Sequence, residues 1–249
     1  ASINFVFGLA TSLSRHAEVL ADLEKFSEAV PRLKEAEMLL TDRVVTSDNV
    51  DPRHAKQLAV TRSQLSGVLQ ALNRETEAVK ALEATIISLE ALVQLVPDVE
   101  EFRHDHARAL VNMGHLRHQL EDSSTAELYI EKGRDILVRL HESTDSDLYV
   151  SDIAAAQLAV GLVKLDLESD DLKLAGDLLA GATNLFDQLL AEAPAGRQQD
   201  LATNLAEAYL AQSILKQRME QFEEAVALAG QARELFGQVV EGDRSSTRL

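Results

Sequence analysis

The segment Leu20-Ala-Asp-Leu-Glu-Lys-Phe-Ser-Glu-Ala-Val30 reappears later in the chain as Leu69-Gln-Ala-Leu-Asn-Arg-Glu-Thr-Glu-Ala-Val79. Each copy runs from an apolar residue through a short polar stretch to Glu-Ala-Val. The alanine of this segment recurs at spacings of 49, 48, 49 and 50 residues, at Ala29, Ala78, Ala126, Ala175 and Ala225. A fixed period of this length is typical of a repeat array, and five units account for the chain.

Each unit contains two helical patterns separated by a short turn. In the third unit, apolar residues keep a helical period on both sides of a turn at residues 121–124. Breaks that contain Pro or Asp separate the units, which we place at about 3–50, 51–97, 98–144, 145–195 and 196–242. We therefore predict an all-α fold, a single right-handed α-solenoid domain of ten main helices paired antiparallel.

Small residues mark where the two helices of a unit approach closely. The residues twelve positions before the recurrent alanines are Ala17, Ser66, Gly114, Val163 and Ser213, of which four are small, as close packing requires. A further alanine begins the apolar pattern of the first helix nineteen residues before the recurrent alanine, at Ala10, Ala59, Ala107 and Ala206. In the fourth unit Ala154 lies 21 residues before Ala175, which leaves the register of that unit open by two residues.

Composition excludes several classes of protein. Among 249 residues there is no cysteine, so disulfide scaffolds, zinc ribbons and thiol nucleophiles are excluded. The net charge of −17 disfavours nucleic acid and anionic membrane surfaces as partners. Because the most apolar run is far shorter than the roughly 20 residues of a spanning helix, we expect no membrane insertion. We expect a soluble, cytoplasmic region, cut from a larger protein because the chain lacks an initiator methionine.

The repeat resembles the tetratricopeptide repeat (TPR). The resemblance lies in the small residue, the alanine twelve residues later and an apolar residue four further on, at Leu33, Leu82, Ile130 and Leu179. The units exceed the usual 34 residues, and the second helix is extended by about two turns. More narrowly, Val96-Pro-Asp-Val-Glu-Glu-Phe-Arg-His-Asp-His-Ala-Arg-Ala-Leu-Val-Asn-Met-Gly114 is similar to a string in the long TPR arrays C-terminal to planctomycete-type bacterial serine/threonine kinases.

The TPR resemblance implies protein–protein interaction through a concave groove lined by the first helices. The groove positions lie six and three residues before, and one, four and five after, the small first-helix residue. Carried onto this sequence, the principal candidates are Ser63, Gln70, Arg108, Val111, His115, His118, Gln119, Lys164, Gln217 and Arg218, with Ser14, Val60, Leu210 and Ile214 in the same rows. The Lys/Asn/Arg clamp with which chaperone-tail binders grip a carboxylate is absent.

Four histidines fall in one predicted helix. His104, His115 and His118 share an arc of roughly 80° with Arg108 and Val111, and His106 points the opposite way. One interpretation is a cationic patch that binds acidic or phosphorylated peptide. The alternatives are a solvated polar face or a metal site, although no third ligand at a diagnostic spacing is evident.

The sequence contains no phosphate-binding loop and no catalytic motif, so we expect no enzymatic activity and no cofactor or metal. The acidic spacing from Asp166 to Asp177 imitates a calcium loop but lacks its glycine, and we interpret it as an inter-helix turn. Residues 151–200 carry 9 acidic against 3 basic residues, which makes a basic partner plausible there.

Three alternatives remain open. The region could be the scaffold or regulatory part of a serine/threonine kinase, as the narrow resemblance implies. It could instead self-associate or autoregulate, for example as a homodimer through the apolar N-terminal helix with Phe5 and Leu9. A rival of another class is a metal- or small-ligand-dependent helical enzyme built on the histidine face of the third unit.

Overall fold

The structure is a computed structural model that describes residues 3–46, 51–144, 146–167 and 172–246. These residues form ten α-helices and a short 3₁₀ helix at Asp147–Tyr149, which confirms the all-α prediction. The helices are α1 (Ile3–Asp22), α2 (Phe26–Thr46), α3 (Pro52–Ala71), α4 (Glu75–Leu95), α5 (Glu100–Gln119), α6 (Ser123–Thr144), α7 (Val150–Asp166), α8 (Leu172–Glu192), α9 (Ala195–Arg218) and α10 (Phe222–Ser246).

The chain divides into two compact units, Ala1–Leu116 and Arg117–Leu249. In the first, α1 packs on α2, α2 on α3 and α3 on α4. In the second, α6 packs on α7, α7 on α8, α8 on α9 and α9 on α10. This packing of each helix on the next is that of a repeat solenoid. The organisation of the five repeats as one domain stays a prediction.

Four of the turns within helix pairs share one backbone conformation. Five residues before the recurrent alanine, Glu24, Asn73, Glu121 and Glu220 all have φ between 53° and 61°. The N–H of the next residue donates to the carbonyl oxygen five residues earlier, at 2.8 Å for Lys25 and 2.9 Å for Arg74. This is the left-handed helix ending in which glycine is usual, because a side chain there is strained.

The small residues lie where the helices of a pair come together, as the sequence predicted. The first four recurrent alanines are fully buried and Ala225 is 7% exposed. The Ser66 hydroxyl donates to the carbonyl oxygen of Ala78 at 3.0 Å, and Ser213 donates in the same way to Ala225 at 2.8 Å. A larger side chain at either serine would separate the two helices.

Gly161, rather than Val163, is the small first-helix residue of the fourth repeat. A Cβ added to Gly161 would lie 2.6 Å from Cδ2 of Leu179 and 3.6 Å from the carbonyl oxygen of Ala175. Gly161 follows Ala154 by seven residues, the spacing that the other repeats show. The first helix therefore keeps its register from Ala154. The turn after it is two residues longer; its residues 168–171, which belong to the calcium-like spacing from Asp166 to Asp177, lie outside the described residues.

Helix α7 corrects the expectation that no segment is apolar enough to cross a membrane. Within Asp147–Asp166 an 18-residue window has a mean hydropathy of 1.5, enough by length and composition for a membrane span. This apolar character is not one continuous run, because Asp152 and Gln157 interrupt it. In the structure 56% of the window is buried, and α7 packs against α6 and α8. Such burial is typical of a core helix.

Candidate functional site

The predicted groove residues differ in their exposure to solvent. Those exposed are Arg108, His115, Gln119, Gln217 and Arg218, and those half-buried are Ser63, Gln70, His118 and Lys164. Val111 is only 9% exposed, so it cannot offer a partner much surface. Ser14 is also buried. Its hydroxyl lies 2.9 Å from that of Thr61, which donates to Gln57, so Ser14 is the donor. The row three residues before the small residue is thus partly core.

Lys164 does not belong to the groove rows once the fourth repeat is counted from Gly161. Its side chain is 15% exposed, and its ammonium group lies 2.5 Å from Glu127 on α6. The position one residue after Gly161, the row to which the sequence assigned Lys164, is occupied by Leu162. The position five residues after Gly161 is occupied by Asp166. The predicted basic residue of this row is therefore replaced by an apolar one.

Asp166 joins two of the predicted basic groove residues in the second unit. Its carboxylate lies 3.2 Å from Nε2 of His118 and 3.9 Å from the Arg218 guanidinium. Arg218 also donates to the carbonyl oxygen of Leu165, near the C-terminus of α7, where a cation is favoured by the helix dipole. His118, which the sequence assigned to a site for an anionic ligand, and the groove residue Arg218 thus both lie beside a carboxylate within the protein.

The first helices of this unit also present apolar side chains to solvent. Leu210 and Ile214, on α9, are 45% and 39% exposed and lie one turn apart, in predicted groove rows. Gln217 follows on the same helix and is exposed. This surface can bury aliphatic side chains of a partner and offers the Gln217 amide at its edge.

A cavity of about 170 Å³ opens between α3, α4 and α5 in the first unit. Two predicted groove residues, Ser63 and Arg108, line it together with Gln64, Asp105 and Asn112. The sequence reasoning missed the last three. The sequence pattern that could have identified Asp105 and Asn112 is their spacing from Arg108, which places all three on one face of α5.

Two acceptors of this cavity are poorly compensated. The Oε1 atom of Gln64 is buried and has no hydrogen-bond partner among the described residues. Burial raises the pKa of Asp105, whereas the charge of Lys56 acts against that rise. The Lys56 ammonium group is itself paired with Glu101. The cavity therefore has one buried acceptor without a partner among the described residues, the Gln64 amide oxygen, which costs free energy when nothing binds it.

The histidine face of α5 is less uniform than its spacing suggested. His115 is exposed, whereas His104 and His106 are half-buried. Burial lowers the pKa of His106, which disfavours its charged form, although Glu90 acts in the opposite direction. Within residues 3–46, 51–144, 146–167 and 172–246, no three His, Asp or Glu side chains are placed to hold a metal ion together.

No protein-family model matches the sequence, and no curated protein is significantly similar to it. Solved structures share its fold. BtubC from P. vanneervenii is 16% identical with a TM-score of 0.69, over 94% of this chain and 82% of that one. A putative kinesin light chain of Podospora anserina with nearly identical TPR-like repeats is 17% identical with a TM-score of 0.54, over 94% and 97%.

The yeast histone chaperone Hif1 is 14% identical with a TM-score of 0.54, over 90% of this chain and 98% of that one. At these identities the likeness is one of fold. None of these structures supports a homodimer through α1, although Phe5 is 65% exposed there. No catalytic family is indicated either. The chain has the fold of the TPR-like repeat proteins, an all-α repeat solenoid.

Proposed function

We propose that this chain is a protein-interaction module that binds a basic, partly apolar segment of a partner protein on its first helices. One observation carries the proposal. Two basic residues of the second unit's first helices, His118 and Arg218, lie beside the Asp166 carboxylate, while Leu210 and Ile214 remain exposed. A net charge of −17 steers a basic segment toward such a surface.

The fold supports the same class of function. Solenoids of helix pairs present extended surfaces of neighbouring first helices, on which a partner chain can lie. The yeast Hif1 structure is described as that of a scaffold protein recruiting protein complexes to core histones. A scaffold role without catalysis fits this chain in the same way.

The interpretation of the histidine face as a site for acidic or phosphorylated peptide is less well supported. It requires cations that are available to a ligand, and His118 already faces a carboxylate. Lys164, which the sequence placed in the groove, faces Glu127 instead. Anionic peptide on this face would have to displace the His118–Asp166 pair and overcome the negative charge of the whole chain.

The kinase resemblance is the finer part of the proposal. The chain would be the scaffold or regulatory region of a bacterial serine/threonine kinase, acting in cytoplasmic signalling, and only the string at Val96–Gly114 carries this. A self-associating, autoregulatory domain is the alternative. Light scattering separates the two, because a peptide binder keeps its monomer mass as concentration rises.

The proposal is tested by selection from a random phage-displayed peptide library on the immobilised full chain. Selected sequences should be enriched in Arg and Lys next to aliphatic residues. Synthetic copies labelled with a fluorophore should bind with an affinity that falls steeply as salt is raised. Enrichment of acidic sequences, or no enrichment at all, would contradict the proposal. Stoichiometric metal in the purified protein would favour the enzyme alternative instead.

A further inference from the structure

We propose that the cavity between α3, α4 and α5 binds the guanidinium group of an arginine side chain from the partner segment, with Asp105 and Gln64 as its acceptors. This rests on the proposed function, which it deepens by naming the group that is recognised. The cavity lies in the first unit, between Ser63 on α3 and Asn112 on α5.

The volume of the cavity fits a side-chain end. Liquid water occupies about 30 Å³ per molecule, so about 170 Å³ is several times what one bridging water fills. The floor is formed by Thr85 and Leu89, which are 1% and 3% exposed. The Thr85 hydroxyl already donates to the carbonyl oxygen of Ala81, so it offers a ligand only its acceptor lone pair. An apolar floor beneath polar walls suits the aliphatic stem and charged end of arginine.

The walls present acceptors that need donors. Gln64 Oε1 is buried with no partner in the described part of the chain, and the Asp105 carboxylate has lost solvent by burial. The guanidinium group has five N–H donors in a fixed fork, which matches a carboxylate through two of them and leaves others for an amide oxygen. No neutral side chain supplies as many donors to both acceptors at once.

The charges around the cavity permit a cation. Four charged or titratable groups on α3 and α5 act on Asp105: Lys56, Glu101, His104 and Arg108. Lys56 is paired with Glu101, and Arg108, which also lines the cavity, is exposed to solvent. Asp105 is the more buried of the two charged residues that line the cavity, so an entering cation can pair with its carboxylate while Arg108 keeps its solvent.

The test is an NMR titration of the ¹⁵N-labelled full chain with N-acetyl-arginine amide, and with N-acetyl-citrulline amide as its uncharged isostere. N-acetyl-arginine amide should shift the side-chain signals of Gln64 and Asn112. N-acetyl-citrulline amide should bind with a dissociation constant at least about tenfold higher. Equal binding of both, or no shift at these signals with arginine amide, overturns the proposal.

Variants distinguish the role of each acceptor. Asp105→Asn should weaken arginine-amide binding at least about tenfold, because it removes one partner of a charge-assisted pair. Gln64→Glu should strengthen it, because a second carboxylate then faces the guanidinium. Glu90→Gln is the control, because it removes the same charge on the exposed side of α4. It should change the affinity for arginine amide by no more than about twofold. Unchanged binding by both cavity variants overturns the proposal.

Failure of this inference and failure of the proposed function give different results. If library peptides bind equally well to wild type and Asp105→Asn, the proposed interaction module is supported and the arginine site is refuted. If arginine amide binds in the cavity and no library peptide binds, the arginine site is supported and the interaction module is refuted.

Discussion

Replacing Gly161 with alanine tests the packing that defines the fourth repeat. The new methyl would lie 2.6 Å from Leu179 Cδ2 and 2.8 Å from Cγ, against 3.5–4.0 Å for an ordinary carbon contact. Leu179 is fully buried, so it cannot turn into solvent. Overpacking of this kind costs about 1–3 kcal/mol, whereas alanine gains up to about 1 kcal/mol in helix propensity. We expect a net loss of about 1 kcal/mol in the free energy of unfolding.

Gly230→Ala is the matched control in the same unit. Gly230 also lies inside a helix, α10, and a Cβ there would meet nothing within 4 Å. It should therefore stabilise the protein by about 0.5–1 kcal/mol. Urea unfolding followed by far-UV circular dichroism gives both values against wild type. If Gly161→Ala stabilised the chain as much as Gly230→Ala, the close approach of α7 and α8 and the corrected register would be refuted.

Three further predictions concern unfolding free energies from the same assay. Thr61→Val should cost about 1–3 kcal/mol, because it leaves the buried Ser14 hydroxyl without an acceptor, and Ser14→Ala should cost less. Glu121→Gly should stabilise by up to about 1 kcal/mol because it relieves a left-handed backbone strain, whereas Asn73→Gly should change little. Burial lowers the pKa of His106 below 6.5, so the unfolded chain binds the proton more readily. The free energy of unfolding should therefore fall as pH is lowered through about 6.5, and His106→Gln should make this dependence on pH weaker. An unchanged pH dependence in His106→Gln would contradict this prediction.

The fold could be predicted from the sequence because it depends on local spacing. The recurrent alanines and the small residues twelve positions before them mark the contacts that hold each pair, as the Ser66–Ala78 and Ser213–Ala225 hydrogen bonds show. The same spacing failed in the fourth repeat. Counting back from Ala175 assumes a turn of fixed length, and the turn there is two residues longer.

The charge of the binding surface could be predicted less well. From the sequence alone, a basic residue in a groove row is expected to be available to a ligand. The sequence does not show whether an acidic residue of another helix lies close enough to pair with it. Asp166 meets His118 from α5 and Arg218 from α9, residues 48 and 52 positions away in the chain. A helical arc of roughly 80° was also too coarse to separate buried Val111 from exposed Arg108.

The polar residues that line the cavity of the first unit could not be predicted from the sequence, for a related reason. Gln64 and Asp105 are ordinary polar residues of a helix surface until the packing of three helices encloses them. This enclosure arises only from the tertiary packing. It removes water from the Gln64 amide, which therefore pays a desolvation cost that the sequence does not show.

The measurement that most directly tests a first-helix binding surface compares two double variants. Val60→Lys with Ile214→Lys changes exposed aliphatic residues of the first helices α3 and α9, and Met38→Lys with Ile87→Lys changes those of the second helices α2 and α4. Both pairs add the same charge. Fluorescence anisotropy with a library-selected basic peptide should show at least about tenfold weaker binding for the first pair. The second should stay within about threefold. Equal or reversed effects would contradict a partner bound on the first helices.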